Sequence, residues 1–252
     1  MGGIKNEIRR TKAYARKFGQ NLTDDQLFLR LISDKIRNFE MIKGEGEKVK
    51  QDGNWERKME VAKEFVREHL SKIRGVIMVG VTGSTATEMA LENEDIDLLI
   101  VTKRNELWWW RFYLRLCVLI NKIPHRKFGV KERANEFCFN LWLDENNLTI
   151  PKKKQNLKNA TDLIMMKVIL NRDNCYQRFL KKNIWVTKYL ATGYNQRLEK
   201  DKTIKEENVF EKGNSIKMLV NIFFYIVQYL YMRTKNKKLM VNLGQAFFHE
   251  DN

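Results

Sequence analysis

Asp95-Ile96-Asp97 heads an apolar run, Leu98-Leu99-Ile100-Val101, and is separated by ten residues from the pair Gly83-Ser84. In a strand the side-chain period is two, so Asp95 and Asp97 fall on one face. Carboxylates that close repel each other unless a cation or a proton lies between them. Hard oxygen donors favour Mg²⁺ or Mn²⁺. Gly83-Ser84 sits between the β-branched run Val76–Val81 and the segment STATEMALEN, which predicts a short helix. The amide N–H groups of its first turn, its dipole and the Ser84 hydroxyl all favour a phosphate. A phosphate turn beside a divalent-cation pair describes a site for a metal-bound nucleoside triphosphate and in-line nucleotidyl transfer by two metals. Separately, each half has a plainer reading: a Gly-Ser turn is usually only a turn, and D-x-D is usually a solvated strand end.

The combination of Gly83-Ser84, ten residues, then Asp95-x-Asp97 resembles the signature of the nucleotidyltransferase superfamily typified by DNA polymerase beta, with spacing similar to that of its minimal members. The resemblance implies an αβ palm in which the glycine-serine turn holds the triphosphate and the aspartates hold the metals. Leu107-Trp108 to Arg111, the segment Asn140-Leu141-Trp142-Leu143-Asp144-Glu145, and Tyr176-x-x-Phe179-Leu180-x-x-Asn183-x-Trp185-Val186 also look like predicted microbial nucleotidyltransferases without assigned substrates. That wider likeness runs from about Trp55 onward. It identifies relatives and not a reaction.

The family places a third carboxylate on a following strand, where it also helps deprotonate the acceptor hydroxyl. Here Glu136 to Leu143 alternates, with Phe137, Phe139, Leu141 and Leu143 expected on one face and Cys138, Asn140, Trp142 and Asp144 on the other. The mid-strand positions are Cys138 and Asn140, so the sequence departs from the pattern. Asp144 is the candidate third ligand, with a turn residue at the strand's exit as the competing reading. Without a third carboxylate, a slow, partner-dependent or binding-only protein stays open.

A chain of 252 residues with 43% hydrophobic residues and two prolines can bury a sizeable core. Its net charge of +16 points to a polyanion such as RNA, against the plainer reading of a lysine-rich proteome. Cys117, Cys138 and Cys175 form no C-x-x-C, which argues for reduced thiols in the cytoplasm and against a zinc site. His69, His125 and His249 are isolated, and no hydrophobic leader follows Met1.

Around the central stretch, residues 1–74 read as helical. Thr23 and Gln26 form a capping box for a helix running to about Ile36, and a second helix runs from Trp55 to Leu70. The aromatic-rich segment Leu107–Ile120 predicts a core helix rather than a base-stacking platform. The basic segment HRKFGVKER (125–133) is placed to face an acceptor. Beyond Pro151, Ala160–Leu170 and Tyr176–Leu190 predict helices, Gly193–Gly213 a mobile charged stretch, and Met218–Met232 a long apolar helix. Asn221 and Gln228 interrupt that helix, so a buried or dimer-interface position is expected and membrane association is not.

The expected architecture is therefore α+β, with a helical segment at 1–74, a small mixed-sheet nucleotidyltransferase palm at 75–150 and a helical domain at 151–252. The expected activity is metal-dependent transfer of a nucleoside monophosphate from an NTP, ATP included, to a hydroxyl of RNA, protein or a small molecule. Gly83 and Ser84 are assigned to the nucleotide, and Asp95, Asp97 and Asp144 to Mg²⁺ or Mn²⁺ and catalysis. Two alternatives stand beside it: a catalytically degenerate nucleic-acid-binding protein on the same fold, and a protein-modifying enzyme of the toxin–antitoxin kind. Oligomeric state stays open.

Overall fold

The computed structural model describes residues 2–48, 53–126, 133–200, 215–235 and 240–248. Most of the expected basic segment at 125–133, and the expected mobile charged stretch from residue 201 on, lie outside the described residues, whereas its first part, 193–200, is helical instead of mobile loop.

All six residues of β1 (Val76–Val81) are buried, as a central strand covered on both faces requires. It pairs antiparallel with β2 (Ile96–Thr102), Val81 opposite Leu98. A crossover through α5 (Leu107–Ile120) then returns the chain to β3 (Phe137–Asp144), parallel to β2. On the other side of β1 lies β4 (Lys167–Asn171), and beyond β3 come β6 (Gln245–Phe247) and β5 (Met240–Val241), giving the order β4-β1-β2-β3-β6-β5. The fold is mixed α/β, and its sheet reaches well past the expected palm at 75–150.

Helices cover both faces. Val79, Val81, Ile96, Leu98 and Ile100 pack with α3 (Asn54–Phe65), its continuation as a wider π turn over Val66–Leu70, and α5. Ile77, Leu99 and Val101 pack on the other face with α6 (Leu157–Met165), α7 (Cys175–Lys182) and α8 (Thr187–Lys200). The N-terminal helices α1 (Gly2–Arg16) and α2 (Asp24–Leu29) enclose a third small core around Leu27, Leu31 and Ile42. The described residues also form α4 (Gly83–Ala86) and the long α9 (Ser215–Lys235).

Three expected helices are shorter than their patterns. The Thr23–Gln26 capping box is present, but α2 stops at Leu29 because tertiary partners replace the next helical bonds. Ile32 N–H donates to Thr11 Oγ1 and Ser33 N–H to the Tyr189 carbonyl. The pattern over Ala160–Leu170 divides into α6 and β4, since β1 has an open edge that Lys167–Asn171 fills. Tyr176–Leu190 divides at Asn183, whose buried amide bonds the Leu148 and Phe179 carbonyls and the Ile150 N–H. The aromatic segment does form a core helix, with Trp108 and Leu114 fully buried.

Candidate active site

At the end of the sheet where β1 leaves and β2 and β3 enter, Asp97 lies opposite Cys138 in the parallel register. Asp95 precedes β2 by one residue and shares the face of Asp97. One ligand atom each from Asp95, Asp97 and Cys138 lie within 4.8 Å of one another. Arg126 Nη1 is 3.2 Å from Asp95 Oδ2 and 4.0 Å from Cys138 Sγ, so one guanidinium spans the cluster. Asn140 Nδ2 donates to Asp97 Oδ1 at 2.6 Å, while its buried Oδ1 finds no hydrogen-bond partner among the described residues. Burial, followed by the charges of Asp97 and Asp95, pushes the Cys138 thiol far above its ordinary range, so it is held protonated here.

The position of Cys138 depends on a bulge. Between Asp97 and Leu99 on β2 the partners on β3 advance from Cys138 to Leu141, three residues against two. Phe137 and Phe139 therefore stack with Phe65 on one face, and Leu141 and Leu143 turn to the other. The expected single apolar face of four residues is broken at Asn140.

Gly83 connects the turn to the carboxylates. Its φ is +66°, and a Cβ added there would stand 2.4 Å from Asp97 Oδ2. Glycine is required on both counts. The Thr82 N–H donates to the Asp97 carbonyl at 3.0 Å, which closes the approach. Ser84, half-buried, follows in α4, whose opening amides have no intrahelical acceptors. The helix stops after one turn because Glu88 takes the left-handed conformation at φ +64°, with Met89 N–H to the Ser84 carbonyl and Glu88 N–H to that of Thr85. That is a Schellman closure with glutamate where glycine is usual. Lys167 of β4 forms an ion pair with Glu88, and Gln26 of α2 donates to Glu88 Oε2 and the Thr87 carbonyl, which holds the strained residue in place.

A residue of α3 sets the strand entrances. Lys58, only 1% exposed, donates from Nζ to the carbonyls of Glu92 (3.2 Å) and Glu94 (2.7 Å) and to Asn135 Oδ1 (2.9 Å). It thereby ties the segment before Asp95 to the segment before Cys138. Desolvation lowers its pKa. A lysine inside an amphipathic helical pattern gives no sign of this role in sequence. Arg126 carries a weak one, standing in a basic segment expected to face the acceptor.

Asp144 is not brought to this group. It pairs with Thr102 at the far end of the same strands, about 20 Å away at ~3.3 Å per residue. Its carboxylate accepts from the Asn146 N–H, Asn147 Nδ2 and the Asn105 N–H, and burial raises its pKa. Those bonds make it the organiser of the turn leaving β3. Glu136 gives its backbone carbonyl to Ile96 N–H.

Two carboxylates and a thiol in this compass, with an unsatisfied amide oxygen beside them, fit a divalent cation. Residues 59–240 match the family model described as nucleotidyltransferase domain. No curated protein and no solved structure matches the chain.

Proposed function

The chain belongs to the nucleotidyltransferase domain family, and from that premise we propose that it transfers a nucleoside monophosphate from an NTP to a hydroxyl acceptor, releasing pyrophosphate. Asp95 and Asp97 would hold Mg²⁺ or Mn²⁺, with Cys138 facing the same space. The cation, when bound, supplies charge neutralisation at the phosphates. Gly83, Ser84 and the opening amides of α4 bind the triphosphate and orient its α-phosphorus toward the carboxylates. The acceptor oxygen bonds to that phosphorus as the bond to the bridging oxygen breaks, and pyrophosphate leaves. With no carboxylate on mid-β3, the acceptor's proton passes to Asp97 or to water. Arg126 restrains Asp95, and Lys58 fixes both strand entrances.

The observation that carries this reading is the contact of Gly83 with Asp97, where a single added carbon would collide with the carboxylate. It joins the phosphate turn and the acidic pair into one site. The net charge of +16 favours RNA or another polyanion as acceptor. One observation favours a second reading, nucleotide or nucleic-acid binding without turnover: Cys138 and Asn140 stand where the family resemblance places a carboxylate.

The test follows label from each α-labelled NTP, with Mg²⁺ or Mn²⁺, into the RNA, protein and small metabolites of an extract. Wild type is compared with Asp95→Asn/Asp97→Asn. Label seen only with wild type names the nucleotide and the acceptor class. Equal label from the double variant refutes the assignment, and no label from folded protein leaves the binding reading.

A further inference from the structure

The helix α9 is built with its polar groups inward. Asn221 Oδ1 accepts from Trp108 N–H at 2.8 Å, an amide of the first turn of α5 with no helical acceptor of its own. Gln228 Nε2 donates to the Trp108 carbonyl at 2.8 Å, and its Oε1 accepts from the fully buried guanidinium of Arg111. Asn221, Tyr225, Gln228 and Met232 thus form an inner row advancing by four, three and four residues. These buried bonds fasten α9 to α5 along its inner side.

A second row runs on the opposite side. Ile216, Leu219, Phe223, Ile226 and Leu230 advance by three, four, three and four residues, the last four each two residues, or ~200°, from an inner position. They are between 49% and 71% exposed. An alternation of three and four sustained over four turns is the seam of a left-handed coiled coil, in which each side chain enters a hole on a facing helix.

We propose that this seam is the interface of a twofold homodimer, with α9 packed antiparallel against α9 of a second copy. Self-complementarity is what an isologous interface requires, and the seam supplies it, with Phe223 at its midpoint on the twofold axis. Charge selects the direction. The row carries no charged residue between Ile216 and Leu230, and its next position is Arg233. A parallel pair would set Arg233 against Arg233, whereas the antiparallel pair sends the two to opposite ends, about 30 Å apart, and opposes the helix dipoles favourably. Area is sufficient. The five seam side chains with Val220, Val227 and Tyr231 beside them are 38% to 71% exposed, and at roughly 200 Å² apiece they offer on the order of 900 Å², against ~800 Å² per partner in a standard interface.

The test is solution mass by light scattering and sedimentation velocity on the full chain. Wild type is expected at twice 30.1 kDa at micromolar concentration. Phe223→Glu and Phe223→Lys, at an exposed site where neither disturbs the core, are each expected to be folded monomers, the dimer weakened at least ~100-fold. Mixed in equal amounts, the two are expected to pair as a heterodimer, because the axis places residue 223 against itself. A monomeric wild type, a Phe223→Glu protein that stays dimeric, or variants that never pair on mixing would each overturn the proposal. So would a monomer that sediments with phosphatidylglycerol-containing vesicles, which would give this face to a lipid surface instead.

Discussion

Replacing Gly83 by alanine isolates the contact on which the site depends, because the chain supplies its own control. Gly83 and Gly19 have nearly the same backbone, φ +66° and +68°, so alanine meets the same left-handed strain at each, about 1 kcal/mol. At Gly19 the new Cβ would find nothing within 4 Å. At Gly83 it would stand 2.4 Å from Asp97 Oδ2, so the carboxylate must retreat by roughly 1 Å. That movement breaks the 2.6 Å bond from Asn140, whose loss costs about 1.5–3 kcal/mol. Gly83→Ala should therefore be destabilised by about 2.5–4 kcal/mol in urea denaturation and Gly19→Ala by about 1 kcal/mol. A 1 Å displacement of a reacting group also predicts a loss of ~10²-fold in the NMP-transfer rate for Gly83→Ala alone. If the two variants prove equally stable and equally active, the turn and the carboxylate pair do not form one unit, and the reasoning above fails.

Lys58→Met should lower stability by about 2–4 kcal/mol, since three acceptors lose their buried donor; circular-dichroism melts together with the transfer rate check that both fall. Cys138→Asp restores a carboxylate opposite Asp97: without metal it should be less stable than wild type, and Mg²⁺ should raise its melting temperature at ~10-fold lower concentration than in wild type. Unchanged Mg²⁺ sensitivity in thermal-shift titrations would count against the cluster as a cation site. The Arg37 guanidinium, bound to Glu7 through two nitrogens, holds that carboxyl below the usual glutamate range. A lowered folded pKa contributes stability above the unfolded pKa and loses it as pH falls through the folded one. Glu7→Gln should therefore cost about 1 kcal/mol at pH 7, with the gap to wild type closing as the pH drops below about 4, read from urea midpoints at both ends.

The hairpin that carries the candidate site was legible because its signals are local. Val76–Val81 has no alternative to a buried strand, Gly83 and Asp97 sit in elements of fixed period, and the Thr23–Gln26 box is a short-range code. What failed was non-local. A bulge shows nothing in composition, so the alternation from Phe137 to Leu143 was carried one residue too far, past Asn140. Asp144 drew attention as the acid on the right strand, but register with Thr102 rather than identity decides which end of the sheet it occupies. Lys167–Asn171 reads as helix on its own and becomes strand because β1 offers an edge. Glu88 hid a helix stop, since a non-glycine residue at φ +64° becomes affordable only through Lys167 and Gln26, which are distant in sequence.

The pairing of β3 with β6 has a consequence for the order in which the protein is made. Leu141, Trp142 and Leu143 find their second neighbour in Gln245–Phe247, and the Asn140 carbonyl finds the Phe248 N–H at 2.9 Å. Roughly a hundred residues of translation separate the two strands, which at ~5–20 residues per second leaves β3 with one bare edge for about 5–20 s. Through that interval the nascent chain presents a hydrophobic strand with unpaired backbone groups, the template on which chains join one another. Yield of soluble protein should thus respond to synthesis speed and to shielding of the emerging chain more than to the stability of the finished fold.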